Sequence, residues 1–213
     1  MKKNGEFQAT KQNSSLHIKK ICNKGELENT GRNNEKRKML SDLQIKYNRQ
    51  RIIDLLRCTN RPGIDRILQY LEDSGFYTAP SSEDRHHNWK GGLAQHSLGV
   101  FEIAMREGRD LPLDSIIICG LLHDICKARK HYCDSSGKIH KSKTHIPGHG
   151  HRSIILLKKH CLELKDSEYL AIRWHMGGHY AKGEDEKEVI RAKDSRLWNV
   201  IHLSDKANAS RND

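Results

Sequence analysis

At 213 residues the chain has room for one domain of ordinary size together with a tail. With 35% hydrophobic against 31% charged residues, part of it must lie outside any core, and no apolar run approaches the roughly 20 residues that span a bilayer. The formal net charge of +11 favours polyanionic partners, and six cysteines without a CxxC pair, in a chain too long for a small stapled scaffold, fit reduced thiols.

Residues 1–38 carry ten Lys or Arg and four Glu, a surplus of six positive charges with few apolar residues and no period. Two roles fit such a segment: a solvated flexible tail, or a basic arm that meets the phosphates of RNA or DNA. The first residues lack the apolar stretch of a secretory signal, so a cytoplasmic, membrane-free protein with reduced thiols is expected. From Leu40 the apolar positions turn regular. Leu40, Leu43, Tyr47, Ile52, Ile53 and Leu56 predict one or two helices. Asn60 as a cap, Pro62 in the first turn and Ile64, Ile67, Leu68 and Leu71 on one face predict another, stopped by Gly75. A loop with two histidines and a Gly-Gly pair runs from Tyr77 to Gly92.

Helices are then expected from Leu93 to about Glu107 and from Asp114 to the pair His123-Asp124. A polar loop from Lys130 to Pro147 separates these from helical patterns at His151–Leu162, Asp166–His175 and about Ala192–Ala209. No stretch alternates with the period of a strand. The predicted fold is all-α: a single compact bundle of six to eight helices over residues 39–213.

Fourteen histidines stand in this chain, and several fall at predicted helices beside acids. His96 lies one turn into a helix, His123-Asp124 closes ICGLLHD, His149 and His151 open another in PGHGHRS, His175 ends AIRWH, and Asp205 sits in HLSDKANA. Neutral imidazole and carboxylate suit divalent ions of the Mn, Fe, Co, Ni or Zn group, and ligands from separate helices fix their geometry. An Asp at a helix end can hold one ion and bridge to a second, as two-metal phosphoryl-transfer sites require. Each histidine alone is as readily a satisfied core or capping residue; the ordered set points to a metal. Cys119 and Cys126 are expected to pack in the helical core, as is Trp174.

The blocks HHNWKGGLAQHSLGV, LLHDICKA, PGHGHRS, IRWHMGG and HLSDKANA resemble, in order, those of the HD-domain superfamily of metal-dependent phosphohydrolases. The first block, HH-x4-GL-x2-H, is similar to that of the HD domain in YhaM-type 3′–5′ exoribonucleases, although no nucleic-acid-binding β-barrel is visible here. The resemblance runs from about Gly63 to Ala209. It implies a first metal site of His96, His123, Asp124 and Asp205, and a second completed by His149 and His175 with Asp124 bridging. It makes Asp124 and Lys127 the catalytic pair, Lys127 meeting a substrate phosphate; a lysine there also suits the negative end of a helix. His86, His87 and Arg152 are further candidates for substrate contact, with surface or structural roles as the alternative.

The implied activity is hydrolysis of a phosphoester in a nucleotide or nucleic acid by metal-activated water, with one or two divalent ions (Mn, Fe, Co, Ni, Zn or Mg) as cofactor. MGGHY follows where cyclic-dinucleotide phosphodiesterases have Gly-Tyr-Pro, which argues against that substrate class. Two alternatives use the same residues: a di-iron oxygenase of the superfamily, with four His and two Asp, or a metal-binding regulatory module without turnover.

Overall fold

A computed structural model describes residues 40–83, 85–129, 131–133, 138–141, 148–179 and 181–210. The basic segment 1–38 lies outside the described residues, as does most of the predicted loop between Lys130 and Pro147. Among the described residues there are eight α-helices and one 3-10 turn: α1 (Asp42–Cys58), α2 (Ile64–Asp73), α3 (Gly92–Glu107), α4 (Leu113–Leu122), the turn η1 (Ile125–Arg129), α5 (His149–Lys159), α6 (Asp166–Arg173), α7 (Glu184–Lys193) and α8 (Arg196–Ser210). The all-α expectation holds, with one addition: β1 (His131–Cys133) pairs antiparallel with β2 (Ile139–Lys141), where a loop alone was expected. None of the described helices is long and apolar enough to cross a membrane.

Local chemistry explains most of the boundaries. Ser41 caps α1 by accepting the Gln44 N–H at 3.1 Å. Leu43, counted in the apolar stripe of this helix, is exposed; Ile45, Ile52, Ile53, Leu55 and Leu56 form the buried face. Asn60 is not the cap of α2. The chain turns at Gly63 instead, whose φ of 93° and close approach to the Cys161 carbonyl leave no room for a side chain. Gly75, with φ of 71°, follows the end of the helix as expected and donates to the Glu72 carbonyl. The last predicted helix begins later than its pattern, because Asp194 and Ser195 interrupt the run and α8 starts at Arg196. The sequence pattern missed α7, which has few apolar residues and buries only Val189 and Ala192.

The core is built on α3, which packs most extensively on α4 and α8, while α6 lies against α5 and α8. At Gly120 a Cβ would stand 2.8 Å from Phe101 Cα, so α3 and α4 approach almost backbone to backbone. This brings His96 on α3 next to His123 at the end of α4.

A largely buried ion network joins the turn before α2 to α4 and α6. Glu168 has no solvent exposure. Its carboxylate accepts from Arg61 Nη1 at 2.8 Å, from Ser115 Oγ at 2.6 Å and from the Lys165 backbone N–H at 2.8 Å, the last of these capping α6. Arg61 also reaches Asp114 at 2.6 Å. Burial opposes the Glu168 charge, yet these donors hold its carboxyl below the usual range. Replacing Glu168 with Ala removes the buried partner of Arg61, which keeps Asp114, and leaves Ser115 and the Lys165 N–H without their acceptor; the expected loss of stability is about 3 kcal/mol by urea unfolding, and a loss below about 1 kcal/mol counts against this role.

Candidate metal centre

Four elements deliver polar side chains to one buried point. His96 comes from the second turn of α3, His123 and Asp124 from the end of α4, His175 from the turn after α6, and Asp205 from the middle of α8. The helix before His175 is shorter than its pattern suggested: α6 stops at Arg173, and the tight turn Trp174–Gly177 carries the histidine inward. Gly150 lets α5 sit against this turn, since a Cβ there would meet the Arg173 carbonyl at 2.1 Å.

The facing atoms lie close together. His96 Nε2 is 3.1 Å from Asp205 Oδ1 and 3.3 Å from His123 Nε2. Asp124 Oδ2 lies 3.5 Å from His123 Nε2 and 3.8 Å from His96 Nε2, while its Oδ1 faces His175 Nε2 at 3.6 Å. The ligand atoms form two overlapping groups, His96-His123-Asp205 and His123-Asp124-His175, each within 4.8 Å.

Backbone carbonyls fix two of the rings. His123 Nδ1–H donates to the Gly120 carbonyl at 3.0 Å and His175 Nδ1–H to the Ile172 carbonyl at 2.8 Å. A carbonyl only accepts, so Nδ1 carries the proton and Nε2 turns its lone pair toward the centre, as metal-ligating histidines require. The Asn208 amide meets His96 Nδ1 at 2.9 Å and donates to the His96 carbonyl at 3.2 Å. His202 Nδ1–H donates to the His175 carbonyl. Neither Asn208 nor His202 was singled out from the sequence. Their spacing of three from Asp205, which puts all three on one side of α8, was the available signal.

A divalent ion fits these residues. Asp124 Oδ1 and His175 Nε2 are buried without a hydrogen-bond partner, an arrangement that costs free energy unless a cation joins them. The separations of 3.1 to 3.8 Å are close to the roughly 3.3 Å between neighbouring ligands around an ion bound at 2.0–2.1 Å. Charge is tuned to match. Burial opposes ionisation of Asp124, but Lys127 and His123 outweigh it and hold its carboxyl well below the usual range. For Asp205 the bond from His96 and the nearby imidazoles have the same effect against burial. Burial pushes His96 down to about 4, so the ring is neutral at physiological pH. His175 is raised: burial lowers it, and Asp124 more than restores it.

The other expected residues lie around this centre. Lys127 Nζ is 2.6 Å from Asp124 Oδ2 and largely buried, so its ammonium rests on the carboxylate itself. The 3-10 geometry of η1 achieves this, with the Lys127 N–H bonded to the Asp124 carbonyl. His149, expected to complete a second site, is in neither ligand group; its Nδ1 faces Arg152 Nη2 at 3.2 Å. Arg152 is half-buried against that ring. His86 and His87 stand on the other side of the centre, against His96. Cys119 and Cys126 pack in the core, while Trp174 is half-buried with Arg173 over its ring.

The family model for the HD domain matches residues 93–205, more than half of the chain. The chain belongs to the HD domain family. The match begins three residues before His96 and ends on Asp205, so it encloses the whole buried centre of this HD domain and leaves out His86 and His87. With the family comes membership of a superfamily of metal-dependent hydrolases. No curated protein and no solved structure matches the chain.

An ion entering this centre competes with a proton for His175, which Asp124 raises above the usual imidazole range. Divalent affinity is therefore expected to fall as pH drops through that raised value, while His96 stays neutral down to about 4. Isothermal titration with Mn2+ at pH 8 and pH 6 checks this, and equal affinity at both counts against His175 as a ligand.

Proposed function

We propose that this HD domain hydrolyses a phosphoester bond in a nucleotide or nucleic acid. The observation that carries the proposal is Asp124: a buried carboxylate with one oxygen turned to His175 and the other to Lys127, His123 and His96. His96, His123, Asp124 and Asp205 would hold a divalent ion, with His175 on the far side of Asp124. The ion supplies Lewis-acid charge and acidifies a bound water. Asp124, kept ionised at all ordinary pH, orients that water and takes no proton in the working range. Lys127 remains charged because Asp124 offsets its burial, and its ammonium is the group nearest the centre that can turn to a phosphoryl oxygen.

An open cavity of about 640 Å³ adjoins the His175 turn, lined by His149, His151, Arg173, Trp174, Met176 and His179 among others. Its mixture of aromatic, apolar and basic groups suits the nucleoside part of such a substrate. The HH-x4-GL-x2-H block supports RNA over a free nucleotide, and the basic segment 1–38 would then supply phosphate contacts in place of a β-barrel. Arg152 belongs to the same side through His149.

Asp124→Ala is expected to abolish divalent-dependent release of product from p-nitrophenyl phosphate, bis-p-nitrophenyl phosphate, nucleotides and short RNA, whichever of these the wild type cleaves. Lys127→Ala is expected to lower kcat by about 100-fold with bound metal unchanged. Full activity in either variant sinks the assignment of that residue.

A further inference from the structure

The loop between α2 and α3 sets two histidines against His96 from outside the family match. The Gly91 N–H donates to the Thr78 carbonyl, the Leu93 N–H to the Ala79 carbonyl and the Ser81 N–H to the His87 carbonyl, at 2.9, 2.9 and 3.0 Å. Ser82 Oγ donates to the His86 carbonyl at 2.9 Å. Gly92 carries no side chain where a Cβ would stand 2.0 Å from the His87 carbonyl, so the loop lies directly on the start of α3. His87 itself has φ of 55°, a left-handed conformation uncommon for a non-glycine residue and one that concentrates at functional sites.

The result is a second set of imidazoles. His86 Nδ1 and His87 Nδ1 are 3.3 Å apart, a long contact for a hydrogen bond and the ordinary spacing of two nitrogen ligands on one ion, about 3.3 Å. Their rings lie 5.0 and 5.3 Å from that of His96, and one ligating nitrogen from each of the three falls within 4.8 Å of the others. His87 is buried and His86 half-buried. One imidazole nitrogen holds one ion, so if His96 serves the ion shared with His123 and Asp205, His86 and His87 are left as a pair.

We propose that His86 and His87 form an additional cation position at the outer edge of the centre. Water or a substrate phosphoryl oxygen would fill its remaining coordination places. Two imidazole nitrogens favour Zn2+, Co2+ or Ni2+ over Mg2+. This rests on the reading in which His96, His123, Asp124 and Asp205 hold the first ion. It also gives the centre a second ion without His149.

The test is equilibrium dialysis of the metal-stripped full chain against Co2+, with bound cobalt measured by elemental analysis and by the visible absorption of the ion. The wild type is compared with His86→Ala, His86→Ala/His87→Asn and Asp124→Asn, each checked by circular dichroism melting. Asn is chosen because it tolerates the left-handed backbone. The expected result is one fewer bound Co2+ in the double variant than in the wild type, and roughly tenfold or greater weakening of the last ion in His86→Ala, where the loop backbone is least disturbed. Cobalt binding that is unchanged in both histidine variants but lost in Asp124→Asn overturns this proposal alone. A wild type that takes up no Co2+ overturns it together with the proposed function.

Discussion

A carboxylate taken out of water must be met by positive or hydrogen-bonding groups, and the bundle is organised around that requirement at Asp124. The side chain is almost wholly buried, and His96, His123, His175 and Lys127 surround it from three directions. His123 and Lys127 come from the same stretch of chain as Asp124, whereas His96, His175 and Asp205 come from three other elements. They meet because α3 and α4 pack at Gly120 without an intervening side chain, and because α8 lays Asp205 across the same opening. One unpaired oxygen on Asp124 and one unpaired nitrogen on His175 are what remains, and a divalent ion is the group that satisfies both.

The helix ends explain why this centre is polar inside an otherwise apolar core. α4 buries nearly every residue from Ser115 to Leu122 and then stops, and the chain tightens into η1, so that His123, Asp124 and Lys127 leave the apolar stripe at its end. The α6 turn does the same for His175. Helix termini also leave carbonyls free, and those of Gly120 and Ile172 each take up an imidazole proton that would otherwise compete with an ion. Termination of each helix and orientation of its histidine are thus one structural event. The Arg61–Glu168 network ties the first turn of α4 to the first turn of α6, and so joins the two helices whose far ends lead to Asp124 and His175.

Much of this was legible in the order of residues. The periodicity of Ile64, Ile67, Leu68 and Leu71 located α2, and Gly75 its end. The spaced blocks around His96, His123-Asp124, His149, His175 and Asp205 pointed to the family. Other features were not legible. The charged helix α7 carries too weak an apolar stripe to be seen. Asn60 has the chemistry of a cap, yet the approach of Cys161 moves the helix start to Gly63. His149 lies in a convincing block, and only the fold shows that its ring faces Arg152. His86 and His87 looked like loop residues because nothing local reveals that the loop folds back onto α3.

His123-Asp124 with the other ordered histidines and Asp205 determined the superfamily and the demand for a metal, because ligand chemistry is a property of residue type and the helical pattern limits where each can sit. The bundle alone decided which of them share a centre, which way each imidazole points and how Lys127 is engaged. These depend on contacts between residues separated by many tens of positions, such as His96 with Asp205 and with Asn208, and on close approaches that a single glycine permits. Side-chain identity is encoded locally, whereas a coordination geometry exists only after distant helices have packed.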